Sequence, residues 1–86
     1  MKTRYFTCYS IFKPVKCFGV IKIVEDDTKP FKNIYDNREG YYWENGDWIR
    51  DDYRACGNAF GENMDWFEAS EEEAKKAIEE LNAKRG

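Results

Sequence analysis

The chain has 86 residues, a formal net charge of −3 and no histidine. A chain of this length forms one domain with a small core, because it buries only roughly 60% of the surface that its unfolded form exposes. The lack of histidine excludes histidine metal ligands and nucleophiles activated by a histidine base. Aromatic residues make up 17% of the chain, which is too many for a disordered segment. We therefore expect one folded domain over residues 1–86.

The charge is unevenly distributed along the chain. Residues 1–24 carry +5, residues 25–70 carry −7 and residues 71–86 carry −1. Opposite charges that meet inside one packed domain would explain this distribution, and so would two faces of opposite charge. The acidic balance argues against a general nucleic-acid-binding domain, which is usually strongly basic.

The three cysteines, Cys8, Cys17 and Cys56, indicate a reducing compartment. An odd number without a Cys-x-x-Cys pair is typical neither of a disulfide framework nor of a zinc site. We expect buried, free thiols and no bound metal or cofactor. No apolar run has the length of a signal peptide or a membrane span. The sequence therefore predicts a soluble, cytoplasmic protein without a membrane partner.

Three segments in the first part of the chain favour β-strands. Aromatic and β-branched residues are concentrated at about residues 3–12 and 17–24. A polar break over residues 25–30 follows. A short third strand is predicted at about residues 31–36.

The first two strands are predicted to form a tight hairpin around Pro14, with Lys13 opposite Lys16. In this register Cys8 faces Ile21. Both faces of such a hairpin are largely apolar, so both need to be covered.

The strongest local signal is Asn45-Gly46, which lies between predicted strands at about residues 40–44 and 47–50. Asn-Gly is typical of a two-residue hairpin turn, because both central residues adopt positive φ. The implied register places Trp43 opposite Trp48, where the two rings would stabilise the hairpin.

The last part of the chain predicts a helix at about residues 71–84, after an irregular segment over residues 51–69 in which residues 53–56 could form a helical turn that ends at Gly57. Ser70 and Glu73 form a capping box, and three glutamates in the first turn suit the helix dipole. A narrow apolar stripe follows at helical spacing: Ala74, Ala77, Ile78 and Leu81. The predicted fold is α+β, a small antiparallel sheet of four or five strands with this helix packed on one face.

One short helix covers only one face of the predicted sheet. The other face needs the irregular residues, a second subunit or a partner to cover it. The aromatic content thus favours association, although the segment over residues 51–68 is an equal alternative.

Two stretches, YYWENGDWIRDD at residues 41–52 and DWFEASEEEAKKAI at residues 65–78, resemble short uncharacterised proteins of bacteria and phages. Those proteins share a Tyr-Tyr/Trp pair, an Asn-Gly or Asp-Gly turn and a capped helix. This chain departs from their pattern at Ala69, where they have an aliphatic residue. The resemblance implies a sheet-plus-helix fold and no catalytic residues. Size and charge suggest by analogy an anti-CRISPR-type phage inhibitor, which would act in the host cytoplasm.

The carboxylates of this chain do not indicate an active site. Most lie beside predicted turns, where Asp and Asn side chains bond to the local backbone. No EF-hand spacing and no phosphate-binding loop is present. We therefore expect a non-enzymatic protein with no catalytic or metal-ligating residues.

The leading hypothesis is a binding protein that contacts a protein partner with a basic surface through an acidic, aromatic surface. Tyrosine and tryptophan are frequent interface anchors, and carboxylates steer a basic partner toward the surface. A phage inhibitor would use them to compete for cations that hold phosphate. The candidate residues are Tyr41, Trp43, Glu44, Asp47, Trp48, Asp51 and Asp52.

Two alternatives remain open. Aromatic side chains on a sheet stack bases while cations neutralise phosphates, so the basic first hairpin could bind nucleic acid. Its candidate residues are Lys2, Arg4, Lys13, Lys16 and Lys22. The simpler interpretation is that its aromatic residues form the core. The second alternative is a homodimer that buries an uncovered sheet face.

Overall fold

The computed structural model describes residues 1–10, 16–61 and 65–83. The strands in these residues form one antiparallel sheet with the order β4-β3-β2-β1-β5. This arrangement confirms the predicted α+β class. The elements, in chain order, are β1 (Lys2–Tyr9), β2 (Cys17–Glu25), β3 (Arg38–Glu44), β4 (Asp47–Arg50), α1 (Asp52–Phe60), β5 (Trp66–Ala69) and α2 (Glu71–Ala83).

The β3–β4 hairpin has the predicted turn and register. Asn45 and Gly46 have φ of 53° and 80°, as a two-residue hairpin turn requires. Trp43 lies opposite Trp48, and their rings meet edge to face with centroids 5.2 Å apart. The turn and the ring pair together fix this end of the sheet.

Helix α2 begins at the predicted capping box. The Ser70 hydroxyl accepts from the Glu73 amide at 3.1 Å, and the Glu73 carboxylate accepts from the Ser70 amide at 3.1 Å. Its apolar stripe covers one face of the sheet, which we call the α2 face. Ala74 and Ala77 are buried there, against a cluster formed by Cys17, Val20, Tyr5, Trp43, Trp48, Ile78 and Leu81.

The prediction of an irregular segment at residues 51–69 was wrong, because this segment contains α1 and β5. Asp51 caps α1 by accepting from the Arg54 amide at 3.1 Å, and the helix continues through Gly57 instead of ending there. It covers the opposite face of the sheet, which we call the α1 face. Ala55 and Cys56 of α1 form a buried cluster with four residues of the sheet: Phe6, Ile21, Ile23 and Tyr42.

The predicted third strand at residues 31–36 was also wrong, because these residues form turns. The Asp36 carboxylate accepts from the Lys32 amide at 2.9 Å, and Asn33 Oδ1 accepts from the Tyr35 amide at 2.8 Å. Such local bonds compete with strand pairing. The fifth strand is instead β5, which pairs with β1 and places Phe67 opposite Thr7.

The predicted β1–β2 register is wrong by two residues. Phe6 lies opposite Ile21, and Cys8 lies opposite Gly19, with an irregularity between Cys8 and Tyr9. A shift of two residues leaves each side chain on its predicted face, so the apolar pattern cannot detect it. The predicted turn residues Lys13 and Pro14, and the predicted end of the first strand, lie outside the described residues.

The two helices therefore cover both faces of the sheet. The second face could have been covered by the segment over residues 51–68, by a second subunit or by a partner. In the structure, α1 of that segment covers it. Half of the described aromatic side chains belong to the two core clusters or pack against them, including Phe6, Tyr42 and Trp43. Partner binding has to be argued from side chains that remain exposed.

Candidate partner-binding surfaces

The three aromatic residues of the predicted site lie on the α2 face. Trp43 and Trp48 are half-buried against the cluster under α2, and Trp43 Nε1 donates to Asn82 Oδ1 at 3.1 Å. Tyr41 is half-buried, and its hydroxyl donates to Glu39 at 2.8 Å. The two tryptophans thus serve mainly as core residues.

Two of the predicted carboxylates hold α1 against the sheet. Asp51 is the N-cap of α1. Asp52 Oδ1 accepts from the Gly40 amide at 2.9 Å and from Arg50 Nε at 3.0 Å. The Arg50 hydrogen bond is the main reason that the pKa of Asp52 lies below its usual value. Asp51 and Asp52 therefore have structural roles that sequence reasoning did not identify.

The other two carboxylates, Glu44 and Asp47, are exposed and lie opposite each other at the tip of the β3–β4 hairpin. Strand alternation puts them on the α1 face, away from the predicted tryptophans. Glu44 Oε1 lies 3.3 Å from Arg54 Nη1 in α1. The structure thus divides the predicted acidic, aromatic site between the two faces of the sheet.

An exposed tyrosine pair lies on the same face of the sheet as these two carboxylates, and sequence reasoning missed it. Tyr53, next to Arg54 in the first turn of α1, is 78% exposed. Its ring lies flat on that of Tyr35, with centroids 5.2 Å apart and an interplanar angle of 3°. We call Tyr35, Tyr53, Glu44 and Asp47 the tyrosine surface.

A helical pattern in the sequence could have revealed this surface. Ala55, Cys56, Ala59 and Phe60 recur at helical spacing after a good N-cap residue, Asp51. That pattern predicts a helix with its apolar side buried and Tyr53 outside. The surroundings are acidic, since residues 35–54 contain six acids and three bases.

The predicted nucleic-acid-binding residues do not share one face. Arg4 lies on the α1 face and binds Glu25 at 2.9 Å and Glu68 at 2.7 Å. The hydrogen bonds that Arg4 donates to Glu68 are the main reason that the pKa of Arg4 is raised. Lys22 lies on the α2 face, with its Nζ 4.8 Å and 4.6 Å from the ring centroids of Tyr41 and Trp48.

The remaining members of this basic set are scattered. Lys2 and Lys16 are exposed, and Lys13 lies outside the described residues. Lys2 borders an open cleft of about 390 Å³ between β1, β5 and the start of α2. Arg4 and Glu68 line the same cleft and neutralise each other there, so the cleft does not indicate a phosphate site.

Two of the three thiols, those of Cys17 and Cys56, are buried as predicted, whereas that of Cys8 is half-buried. None of the three cysteines forms a disulfide. Burial raises the pKa of Cys56 to about 11, which keeps its thiol protonated and a poor nucleophile near neutral pH. Across residues 1–10, 16–61 and 65–83, no group of three carboxylates or thiols could hold a metal ion.

Comparison with protein-family models, curated proteins and solved structures found no match for this chain. In the part of the chain that the structure describes, neither helix is long and apolar enough to cross a membrane.

Proposed function

We propose that this protein is a non-enzymatic binding protein that contacts a basic protein partner through the tyrosine surface. The observation that carries the proposal is the flat stacking of Tyr53 on Tyr35 at 5.2 Å, with the Tyr53 ring 78% exposed. An exposed aromatic ring that is already held by a neighbour loses little conformational entropy on binding. Tyrosine is also one of the residues most enriched among interface hot spots.

The position of Tyr35 supports the idea of a preformed anchor. Asn33 Oδ1 accepts from the Tyr35 amide at 2.8 Å, which fixes the turn that carries the ring. The Tyr35 hydroxyl reaches along α1 and lies 3.4 Å from where a Cβ on Gly57 would be. Tyr53 belongs to α1 and Tyr35 to the turn before β3, so the ring pair connects these two parts of the chain.

The charge around the ring pair supports a basic partner. Glu44 and Asp47 are both exposed on the same face of the sheet, and the only cation that Glu44 contacts among the described residues is Arg54. Carboxylates at the rim of an interface speed association with a basic surface and make binding dependent on salt.

In its narrower form, the proposal makes the protein a phage-encoded inhibitor of a bacterial defence or nucleic-acid-handling complex. The carboxylates of the tyrosine surface would occupy lysines and arginines that otherwise hold phosphate. Nucleic acid added to the complex would then displace the protein. A partner that binds nucleic acid and this protein at the same time would contradict the narrower form only.

Affinity capture followed by titration tests the proposal. The wild-type protein is used to capture a partner from cells that encode the protein or serve as its host, and the purified partner is titrated with variants. We expect Tyr53→Ser to weaken binding by roughly tenfold, the loss that about 1.4 kcal/mol of interface energy represents. Asp47→Lys should weaken it as well, because it reverses a charge at the rim.

Phe18→Ser is the matched control, because Phe18 is 68% exposed but lies in β2. It should leave the affinity unchanged. Equal affinities for wild type, Tyr53→Ser and Asp47→Lys would overturn the proposal. So would specific binding of nucleic acid at low salt in the absence of any protein partner.

A further inference from the structure

The outer edge of β5 is a second exposed feature, separate from the tyrosine surface. β5 is the last strand of the sheet and pairs with β1 on one side. Among residues 1–10, 16–61 and 65–83, no strand pairs with its other side. Such an edge leaves backbone N–H and C=O groups available to a further strand, which proteins use to bind extended peptides.

Two exposed aromatic side chains lie near this edge on the α2 face, Phe67 in β5 and Tyr9 at the end of the neighbouring strand β1. Phe67 is 67% exposed and Tyr9 is 40% exposed. Phe67 is opposite Thr7, and strand alternation puts Tyr9 on the same face, diagonally next to Phe67. Together they form a strip of exposed aromatic surface beside α2.

Carboxylates of α2 border this strip. Ala74 and Ala77 are buried against the sheet, and helical geometry places Glu73 and Glu80 together on the flank of α2 that faces Tyr9. Burial is the main reason that the pKa of the Tyr9 hydroxyl is raised, and the negative charges of Glu80 and Glu73 raise it further. The two carboxylates are therefore close to the strip.

The opposite side of the same edge also carries a carboxylate. Glu68 points to the α1 face, where it is half-exposed and binds Arg4 at 2.7 Å. Arg4 is shared with Glu25. Because Arg4 neutralises Glu68, the carboxylates left to attract a basic segment are Glu73 and Glu80, with Lys76 between them on the same flank of α2.

We propose that the outer edge of β5 accepts an extended, basic segment of a partner protein as an additional strand. The edge supplies main-chain hydrogen bonds, Phe67 contacts an apolar side chain of the segment, and Glu73 and Glu80 pair with its lysines or arginines. A second copy of this chain fits less well, because two such edges would bring their like charges together. This site is independent of the tyrosine surface.

A labelled peptide, Lys-Lys-Val-Lys-Val-Lys-Lys, tests this proposal by fluorescence anisotropy at low salt. Its alternation presents two valines toward Phe67 and lysines on both faces of the added strand. The same peptide with N-methyl groups on its three central residues keeps the charge but loses its hydrogen-bond donors. We expect the first peptide to bind and shift the amide resonances of residues 66–69, and the methylated peptide not to bind.

Matched variants separate the edge from general charge effects. Phe67→Ser should weaken peptide binding by roughly tenfold, whereas Phe18→Ser and Tyr53→Ser should not change it. Glu73→Gln with Glu80→Gln should weaken binding more than Glu72→Gln with Glu79→Gln, which has the same spacing on the outer side of α2. Glutamine at position 73 keeps the capping box, so the helix should remain folded.

Several results would overturn the proposal. One is that the peptide does not bind at low salt, and another is that the methylated and unmethylated peptides bind equally well. A third is that wild type and Phe67→Ser bind the peptide with the same affinity. A dimer in light scattering that Phe67→Ser dissociates would also overturn it, because the edge would then bind a second copy. If Tyr53→Ser no longer binds the partner of the tyrosine surface but still binds the peptide, the result agrees with a separate site at the edge of β5.

Discussion

Gly40 of β3 and Ala55 of α1 lie so close together that a Cβ built on Gly40 would be 2.6 Å from the Ala55 Cβ. Real Cβ atoms do not approach each other to that distance, so α1 rests directly on β3 only because position 40 has no side chain. Asp52 strengthens this contact by accepting from the Gly40 amide at 2.9 Å. This contact is how residues 51–60 cover the face of the sheet that α2 leaves open.

Gly40→Ala should therefore lower the free energy of unfolding by about 1–3 kcal/mol, the usual cost of overpacking. Urea denaturation measures the change. Gly57→Ala is the control, because it lies inside α1 and meets only the end of the Tyr35 side chain at 3.4 Å. It should not destabilise the protein, since alanine favours the helix by about 1 kcal/mol over glycine. Equal destabilisation by the two variants would contradict the close packing of α1 on β3.

A second prediction concerns Glu25, whose side chain is 5% exposed. Its Oε1 accepts from Arg4 Nη1 at 2.9 Å and from Arg38 Nε at 3.3 Å. Glu25→Gln leaves Arg38 without its charged partner and Arg4 with Glu68 alone, so it should lower the free energy of unfolding, measured with denaturant, by about 2 kcal/mol or more.

Glu68→Gln is the matched control for Glu25→Gln, because Glu68 also binds Arg4 but its side chain is half-exposed. Exposed ion pairs contribute only about 0–1 kcal/mol, so the control should be nearly neutral. If Glu68→Gln destabilised the protein as much as Glu25→Gln, burial of Glu25 would not explain its effect.

A third prediction is a pH dependence of stability from Asp52. Its pKa is lowered in the folded protein, chiefly by the hydrogen bond to Arg50. Its contribution is therefore complete above the unfolded-state value of about 3.9 and is lost as the pH falls through the lower folded-state pKa. Asp52→Asn keeps an oxygen for the Gly40 amide but removes the charge.

Urea midpoints at several pH values measure this contribution. At pH near 7 the wild-type midpoint should be higher than that of Asp52→Asn, and the gap should close as the pH falls below about 3.9. A gap of constant size across this range would show that the charge of Asp52 does not stabilise the fold.

A fourth prediction concerns thiol reactivity. The side chains of Cys17 and Cys56 are buried, and burial raises the pKa of Cys56 to about 11. In the native protein at neutral pH, iodoacetamide should modify the half-buried Cys8 first and leave Cys17 and Cys56 unmodified. All three should react in urea, as mass spectrometry can follow. Rapid native modification of Cys56 would be inconsistent with its position on the buried side of α1.

The sequence predicts those elements whose signals are local. Asn45-Gly46 specifies a turn by its backbone preference, and this turn then determines that Trp43 pairs with Trp48. Ser70 and Glu73 specify the start of α2 in the same way, through two reciprocal hydrogen bonds. These signals need no information from distant parts of the chain.

Elements that depend on distant contacts are harder to predict. β5 has only four residues, and its partner β1 lies about sixty positions earlier in the chain. Gly57 and Gly61 weaken the helical pattern of α1, whose formation depends on packing against Gly40. Phe31, Ile34 and Tyr35 have strand-forming side chains, but the neighbouring Asn33 and Asp36 bond to the local backbone and produce turns.

The candidate site could be predicted only in part for the same reason. The carboxylates of the β3–β4 hairpin are recognisable from the turn, and Glu44 and Asp47 are exposed as a binding role requires. Which aromatic residues accompany them depends on which face α1 covers. Tyr35 and Tyr53 meet only because a turn that was not predicted lies beside a helix of which only one turn was predicted.

Hydrogen exchange of the protein alone and in complex with its captured partner is the most direct test of partner binding through the tyrosine surface. We predict slower exchange in the complex for the amides at Tyr35, at the tip of the β3–β4 hairpin and in the first turn of α1. Protection confined to other parts of the protein, with exchange at Tyr35 and Tyr53 unchanged, would contradict it.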